Sequence, residues 1–117
     1  MAYLTEQQFG EAVIDLARYR GWRVVHFRPA RTTRGWRTAM SGDLGFPDLV
    51  LARHGVVLLV ELKTQHGRLG RGQREWADAI GPGLYRLWRP SMMEEIKAEL
   101  RGGGHGPGPG GTGTNPG

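Results

Sequence analysis

The chain contains no cysteine, which excludes disulfide bridges and zinc sites built from thiolates. It also lacks any run of about 18 apolar residues, so no segment is expected to cross a membrane. Its first residues, MAYLTEQQFGEAV, include acidic and polar residues and lack the basic and then apolar order of a secretion signal. These absences predict a cytoplasmic protein.

Lysine is scarce, because 14 of the 16 basic residues are arginine, and the formal net charge is +5. The planar guanidinium of arginine suits the recognition of phosphate. Four arginines lie within ten residues that also contain Trp36, and this favours a polyanionic partner such as nucleic acid. A solvated loop from an arginine-rich, GC-rich genome would carry the same charge, so charge alone leaves both readings open. The four are Arg28, Arg31, Arg34 and Arg37.

The C-terminal stretch is almost free of apolar side chains. Residues 102–117, GGGHGPGPGGTGTNPG, have nothing to bury and are predicted to form a disordered tail. Residues 1–101 then form one folding domain. A domain of this size gains stability by burying more surface in a dimer.

The periodicity of the remaining chain predicts an α/β fold in the order α-β-β-β-α-β-α, with a mixed central sheet flanked by helices. Segment 28–46 contains Pro29, Gly35, Gly42 and Gly45 and shows no clear period, so we expect a long loop, which in a compact domain is usually functional. The predicted helices are 6–20, capped by Thr5 and Gln8, 73–80 and 92–100, and the predicted strands are 22–27, 48–53, 56–62 and 84–89.

Two apolar strands around His54 and Gly55 predict a central hairpin. If these two residues form the tip, residues whose numbers sum to 109 lie opposite one another, and Asp48 faces Glu61. Two adjacent carboxylates repel each other, and a divalent cation with oxygen ligands, Mg²⁺ or Mn²⁺, would compensate.

Lys63 lies two residues after Glu61 and therefore on the same face of its strand. Its ammonium group could orient a water molecule or stabilise charge on a phosphate. A structural ion pair between Glu61 and Lys63 is the alternative.

Two further residues are predicted to approach the hairpin. Glu6 lies at the border of the apolar stripe of the first helix, and its alternative role is a favourable charge in the first helical turn. Gln73 shares the inward face of its helix with Trp76 and could hold a water or a phosphate. Its alternative role is that of an ordinary polar residue at a helix start.

Four segments together resemble the VRR-NUC family of the PD-(D/E)XK nuclease superfamily. They are TEQQFGEAVIDLARYRGW, GFPDLVLAR, VVLLVELKTQHGRLGRGQREW and YRLWRP, and they span almost all of residues 5–100. The resemblance implies a VRR-NUC-like nuclease domain over residues 1–101 with a restriction-endonuclease-like core. It implies hydrolysis of DNA phosphodiester bonds with Mg²⁺ or Mn²⁺ and without a small-molecule cofactor.

The resemblance also implies roles for individual residues. Asp48, Glu61 and the backbone carbonyl of Leu62 would bind the metal, and Lys63 would act on the water or the transition state. Glu6 and Gln73 match the family's acidic and glutamine positions and complete the catalytic set, whereas Gly10 stands where the family often has glutamine.

Stand-alone members of the family look like phage and bacterial proteins related to Holliday-junction resolvases. The resemblance therefore implies a homodimer that cuts branched or duplex DNA in a bacterial or phage-infected cell. The DNA would be gripped by Arg28, Arg31, Arg34, Arg37, Arg68 and Arg71. Three alternatives remain open from the residues alone. They are a non-catalytic basic DNA-binding module, an RNA-directed nuclease, and a subunit of a larger nuclease or packaging complex.

Overall fold

The computed structural model describes residues 3–27, 30–32, 35–37 and 41–102, and for residues 30–32 and 35–37 it describes the backbone. Over these residues the fold is α/β, with three α-helices, one four-stranded mixed sheet and one two-stranded sheet. In chain order the elements are α1 Glu6–Tyr19, β1 Arg23–His26, β2 Ala30–Thr32, β3 Gly35–Arg37, β4 Leu49–Arg53, β5 Val56–Leu62, α2 Arg71–Ile80, β6 Tyr85–Trp88, a 3-10 turn Pro90–Met92, and α3 Met93–Gly102.

The main sheet has the strand order β1-β4-β5-β6. The pairs β1–β4 and β4–β5 are antiparallel, whereas β5 and β6 run parallel, with α2 forming the crossover between them. The hairpin between β4 and β5 turns at His54 and Gly55, whose φ angles of 50° and 82° are those of a tight two-residue hairpin turn. Leu49 pairs with Val60, so the predicted hairpin register is confirmed.

The prediction that all of segment 28–46 is loop is wrong. Ala30–Thr32 and Gly35–Arg37 pair antiparallel as β2 and β3, so the fold has two more strands than predicted. Strands of three residues are too short to leave a readable alternation of apolar and polar side chains. Residues 28, 29, 33, 34 and 38–40 lie outside the described residues.

The first helix begins as predicted. The hydroxyl of Thr5 accepts a hydrogen bond from the backbone N–H of Gln8, and the Gln8 side chain accepts one from the backbone N–H of Thr5. The apolar stripe of α1 is buried against the sheet, with Phe9 and Val13 fully buried. Gly10 is also buried, and a Cβ there would lie 3.4 Å from the side chain of Leu62. The helix therefore packs closely on the end of β5.

The core decides which way β5 presents its side chains. Leu58, Val60 and Leu62 are buried together with residues of α1 and α3. Because side chains alternate along a strand, Glu61 and Lys63 face the opposite side of the sheet, where α2 begins.

The ends of two helices differ slightly from the predictions. Helix α2 starts at Arg71, two residues before the predicted start, and α3 includes Gly102, the first residue of the predicted tail. Residues 103–117 lie outside the described residues. Within the described part of the chain, no helix is long and apolar enough to cross a bilayer.

Candidate active site

The open end of the β4–β5 hairpin brings two carboxylates together. Asp48 directly precedes β4, and its Oδ2 accepts a hydrogen bond of 2.8 Å from the backbone N–H of Leu62. Its own carbonyl accepts one of 2.9 Å from Phe27, which ties it to β1. The carboxylate of Asp48 therefore lies beside the peptide that joins Glu61 to Leu62.

Glu61 is the only buried charged residue in the described part of the chain, with 2% of its surface exposed. Its Oε2 accepts a hydrogen bond of 2.9 Å from the side-chain amide of Gln73 and lies 3.9 Å from Nζ of Lys63. Its Oε1 is buried and makes no hydrogen bond to the described residues. Oε2 of Glu61 is thus held by Gln73 and lies near Lys63. Oε1 has no partner among the described residues and is available to a proton or a metal cation.

The electrostatics of the site agree with this geometry. Burial raises the pKa of Glu61 to about 8. The charge of Asp48 and a hydrogen bond with Asp48, possible when Glu61 carries the proton, raise it further, whereas Lys63 opposes the rise. Without another cation, the carboxyl of Glu61 is therefore largely protonated near neutral pH.

Gln73 acts at the start of its helix, as one of the two sequence readings has it, and it also contacts the site through Glu61 rather than through a water or a phosphate. Its Oε1 accepts a hydrogen bond of 2.7 Å from the backbone N–H of Gly70 and so caps the start of α2. The same amide donates to Glu61. Because both ends of the amide are engaged, the orientation of Glu61 is coupled to the start of the helix.

Glu6 is exposed and lies at the mouth of a cleft of about 370 Å³. The cleft is also lined by His26, Asp48 and Leu62, and the charge of Glu6 adds slightly to the rise in the pKa of Glu61. Within the described residues, no group of three or more histidine, aspartate or glutamate side chains could hold a metal ion. Glu6 therefore borders the hairpin site without joining Asp48 and Glu61 in a closed ligand set.

The predicted arginines are described only in part. Arg31 and Arg37 contribute backbone to β2 and β3, and Arg28 and Arg34 lie outside the described residues. Arg68 and Arg71 are exposed near the start of α2. Arg71 also pairs with Glu75 at 3.2 Å, an exposed contact that contributes little to stability.

Sequence reasoning missed two side chains near the site. Arg89 donates hydrogen bonds of 2.7 Å to the carbonyls of Thr64 and Gly67, and thereby holds the turn that follows Lys63. Tyr85 has a buried hydroxyl, and its burial, with the charges of Glu61 and Asp48, raises its pKa to about 12. No pattern in the sequence could identify them, because their placement depends on the pairing of β5 with β6.

The loop at residues 41–47 is attached directly to α2. Gly45 has a φ of 95°, and a Cβ there would lie 2.4 Å from the backbone carbon of Gly72. The indole N–H of Trp76 donates to the carbonyl of Asp43 at 3.2 Å. The loop that leads to Asp48 and the helix that carries Gln73 are therefore in backbone contact.

Comparison with known proteins found no matching family model, no matching curated protein and no matching solved structure.

Proposed function

We propose that this chain is a metal-dependent endonuclease that hydrolyses DNA phosphodiester bonds, with a restriction-endonuclease-like core of the VRR-NUC type. The observation that carries the proposal is the meeting of Asp48, Glu61 and Lys63 at one end of the central hairpin. A buried carboxylate with an oxygen that no described residue pairs costs free energy of folding until a cation or a hydrogen-bond donor binds there. Strongly perturbed carboxyl groups cluster at functional sites.

The donor atoms fit Mg²⁺ or Mn²⁺. Glu61 offers a buried, unpaired Oε1, Asp48 lies next to it, and the carbonyl of Leu62 follows on the same strand. All three are oxygen donors, which hard divalent cations prefer. Asp48, Glu61 and the Leu62 carbonyl would hold the ion, since Mg²⁺ commonly takes only one or two carboxylates and completes its shell with water and phosphate oxygens.

Such an ion, when bound, makes water more acidic and stabilises charge on a phosphate. The chain's own residues do the rest. Lys63 presents an ammonium group within 4 Å of Glu61, where it neutralises charge that develops on phosphate oxygens. Gln73 keeps Glu61 oriented through its amide. Arg68 and Arg71 contact the sugar–phosphate backbone, which positions DNA without reading its sequence.

The proposed substrate is branched or junction DNA, and the proposed working form is a homodimer. One hairpin supplies one site, and a single site cuts one strand. Two symmetric cuts at a junction require two copies related by a twofold axis. The measured mass of the protein in solution tests this part of the proposal.

The direct test is cleavage of supercoiled plasmid, branched DNA and RNA, each titrated with Mg²⁺ and Mn²⁺. We expect wild-type protein to cleave DNA, and Asp48→Ala or Glu61→Ala to lose cleavage while keeping the fold and most DNA affinity. Asp78→Asn, which changes an exposed carboxylate on α2, is the matched control and should cleave normally.

Three outcomes contradict the proposal. Full cleavage by Asp48→Ala or Glu61→Ala would remove the site from the reaction. Salt-sensitive DNA binding by the wild type without any nicking would indicate a non-catalytic module. Cleavage of RNA in preference to DNA would assign a different substrate.

A further inference from the structure

Leu44 is the most exposed large apolar side chain in the described part of the chain, with 86% of its surface exposed. A single exposed leucine is ordinary on a protein surface and needs no explanation by itself. The backbone that carries Leu44, however, is held in a way that an ordinary surface loop is not.

The first support is a contact between two backbones. A Cβ at Gly72 would lie 2.7 Å from the carbonyl oxygen of Leu44, and one at Gly45 would lie 2.4 Å from the backbone carbon of Gly72. Only glycine at both positions allows this approach, and the φ of 95° at Gly45 also requires it. The backbone of Leu44 therefore lies directly against the first turn of α2, while its side chain faces solvent.

The second support is a chain of aromatic rings. Phe46 packs edge-to-face on Trp76 at 4.9 Å and on Phe27 at 5.5 Å, and Trp76 also donates to the carbonyl of Asp43. These contacts fix the residues on both sides of Leu44. Because these contacts hold the backbone around Leu44, contact with a ligand through this residue carries little further loss of backbone entropy.

The position of Leu44 limits what its side chain can contact. Leu44 precedes Asp48 by four residues, which at full extension span at most about 14 Å. Nucleotides in one strand of DNA are spaced about 3.4 Å apart, so Leu44 reaches no more than about four nucleotides from the proposed metal site.

The side chains of Asp43 and Leu44 favour contact with a DNA base over contact with a phosphate. The side chain is apolar, and the adjacent Asp43 is an exposed carboxylate that repels the DNA backbone. Leucine is among the residues that proteins insert between base steps to unstack DNA.

We propose that Leu44 is a wedge that contacts an unstacked base of branched DNA within about four nucleotides of the phosphate that is cut. The position relative to the cut rests on the proposed nuclease function. The contact with an unstacked base rests on the proposed DNA partner, although not on cleavage.

The test compares Leu44→Ser with Tyr19→Ser. Tyr19 is also highly exposed, at 79%, but lies at the other end of α1 from Glu6, about 20 Å along the helix axis. The substrate is a flayed duplex with 2-aminopurine at the branch point, whose fluorescence rises when it unstacks. Binding is measured with Ca²⁺ in place of Mg²⁺, and cleavage is measured separately with Mg²⁺.

Wild-type protein and Tyr19→Ser should raise the fluorescence, and Leu44→Ser should not. On the flayed duplex, Leu44→Ser should lower kcat/KM about tenfold, which corresponds to about 1.4 kcal/mol. On uninterrupted duplex the loss should stay below about twofold. Thermal unfolding should be unchanged, because the side chain is exposed.

Equal losses on both substrates, no loss on either, or the same loss in Tyr19→Ser would overturn the wedge. If the wild type cleaves no DNA at all, the nuclease proposal fails, and the fluorescence comparison still decides whether Leu44 contacts an unstacked base.

Discussion

The two ends of the β4–β5 hairpin each carry a charged side chain, and the two charges have different surroundings. At the turn, the guanidinium of Arg53 donates a hydrogen bond of 2.6 Å to the carbonyl of Arg20 and lies 4.6 Å from the ring centre of Trp22. At the open end, Glu61 is buried beside Asp48, with one oxygen unpaired and its pKa raised to about 8.

This difference separates a structural charge from a candidate functional one. Nε of Arg53 is buried without a hydrogen-bond partner among the described residues, but a carbonyl and an aromatic face hold the rest of its guanidinium. The carboxyl of Glu61 is destabilised in its charged form by burial and by a second carboxylate. Contacts that stabilise the native fold would remove such a penalty, whereas a cation site preserves it until the ion binds.

After the loss of cleavage expected for Asp48→Ala and Glu61→Ala, the largest expected effect is on catalysis, in Lys63→Met. Methionine keeps an unbranched stem of the same length up to Cε and removes the ammonium group that lies 3.9 Å from Glu61. We expect the cleavage rate to fall about 10²–10³-fold, as for the loss of one preorganised charge-stabilising donor. Calorimetric titration with Mn²⁺ should show a much smaller change in affinity, because Lys63 is not a proposed ligand. An unchanged rate would reduce Lys63 to an ion-pair partner.

The next effect is on the pH dependence of stability in the metal-free protein. The pKa of Glu61 rises from 4.5 to about 8 on folding, so the folded state binds the proton more tightly than the unfolded state. This contribution to the free energy of unfolding is fully present below pH 4.5 and is lost as the pH rises towards 8. Its slope is at most about 1.4 kcal/mol per pH unit.

Chemical denaturation at several pH values, with a chelator present, measures that slope. Glu61→Gln cannot titrate, so this part of the slope should disappear in the variant. An identical slope in wild type and variant would mean that the buried carboxyl is not the group that titrates.

The smallest expected effect is on stability at the turn end, in Arg53→Ala. Loss of a charged hydrogen bond and of the contact with Trp22 should lower the free energy of unfolding by about 2 kcal/mol. Arg53→Lys should lose less stability, because it keeps the charge. It should still lose some, because lysine lacks the planar surface that stacks on Trp22. Both variants should retain full cleavage activity, and a large loss of activity in folded protein would erase the distinction between the two ends.

Several parts of the fold were predictable because their causes are local. The capping box at Thr5 and Gln8 involves residues three apart, and the turn at His54 and Gly55 selects one pairing of its flanking strands. The pair β2–β3 was missed because three-residue strands carry too little pattern.

The site was predictable to the same extent. The meeting of Asp48 with Glu61 follows from the hairpin register alone. The hydrogen bond from Gln73 to Glu61 was not predicted, since the sequence offered only a water or phosphate contact or a polar helix start, and the orientation of helix α2 decides which groups Gln73 reaches. The contacts of Arg89 with the turn after Lys63, and of Gly45 with Gly72, join residues more than 20 positions apart, and nothing periodic connects them.

The sequence by itself determined which carboxylates face each other, because side chains alternate along a strand and a two-residue turn leaves a single register. The tertiary structure alone decided how deeply Glu61 is buried and which of its oxygens remains unpaired. Burial depends on where α2 packs against the sheet, and helix packing depends on the shapes of side chains that are distant in the chain.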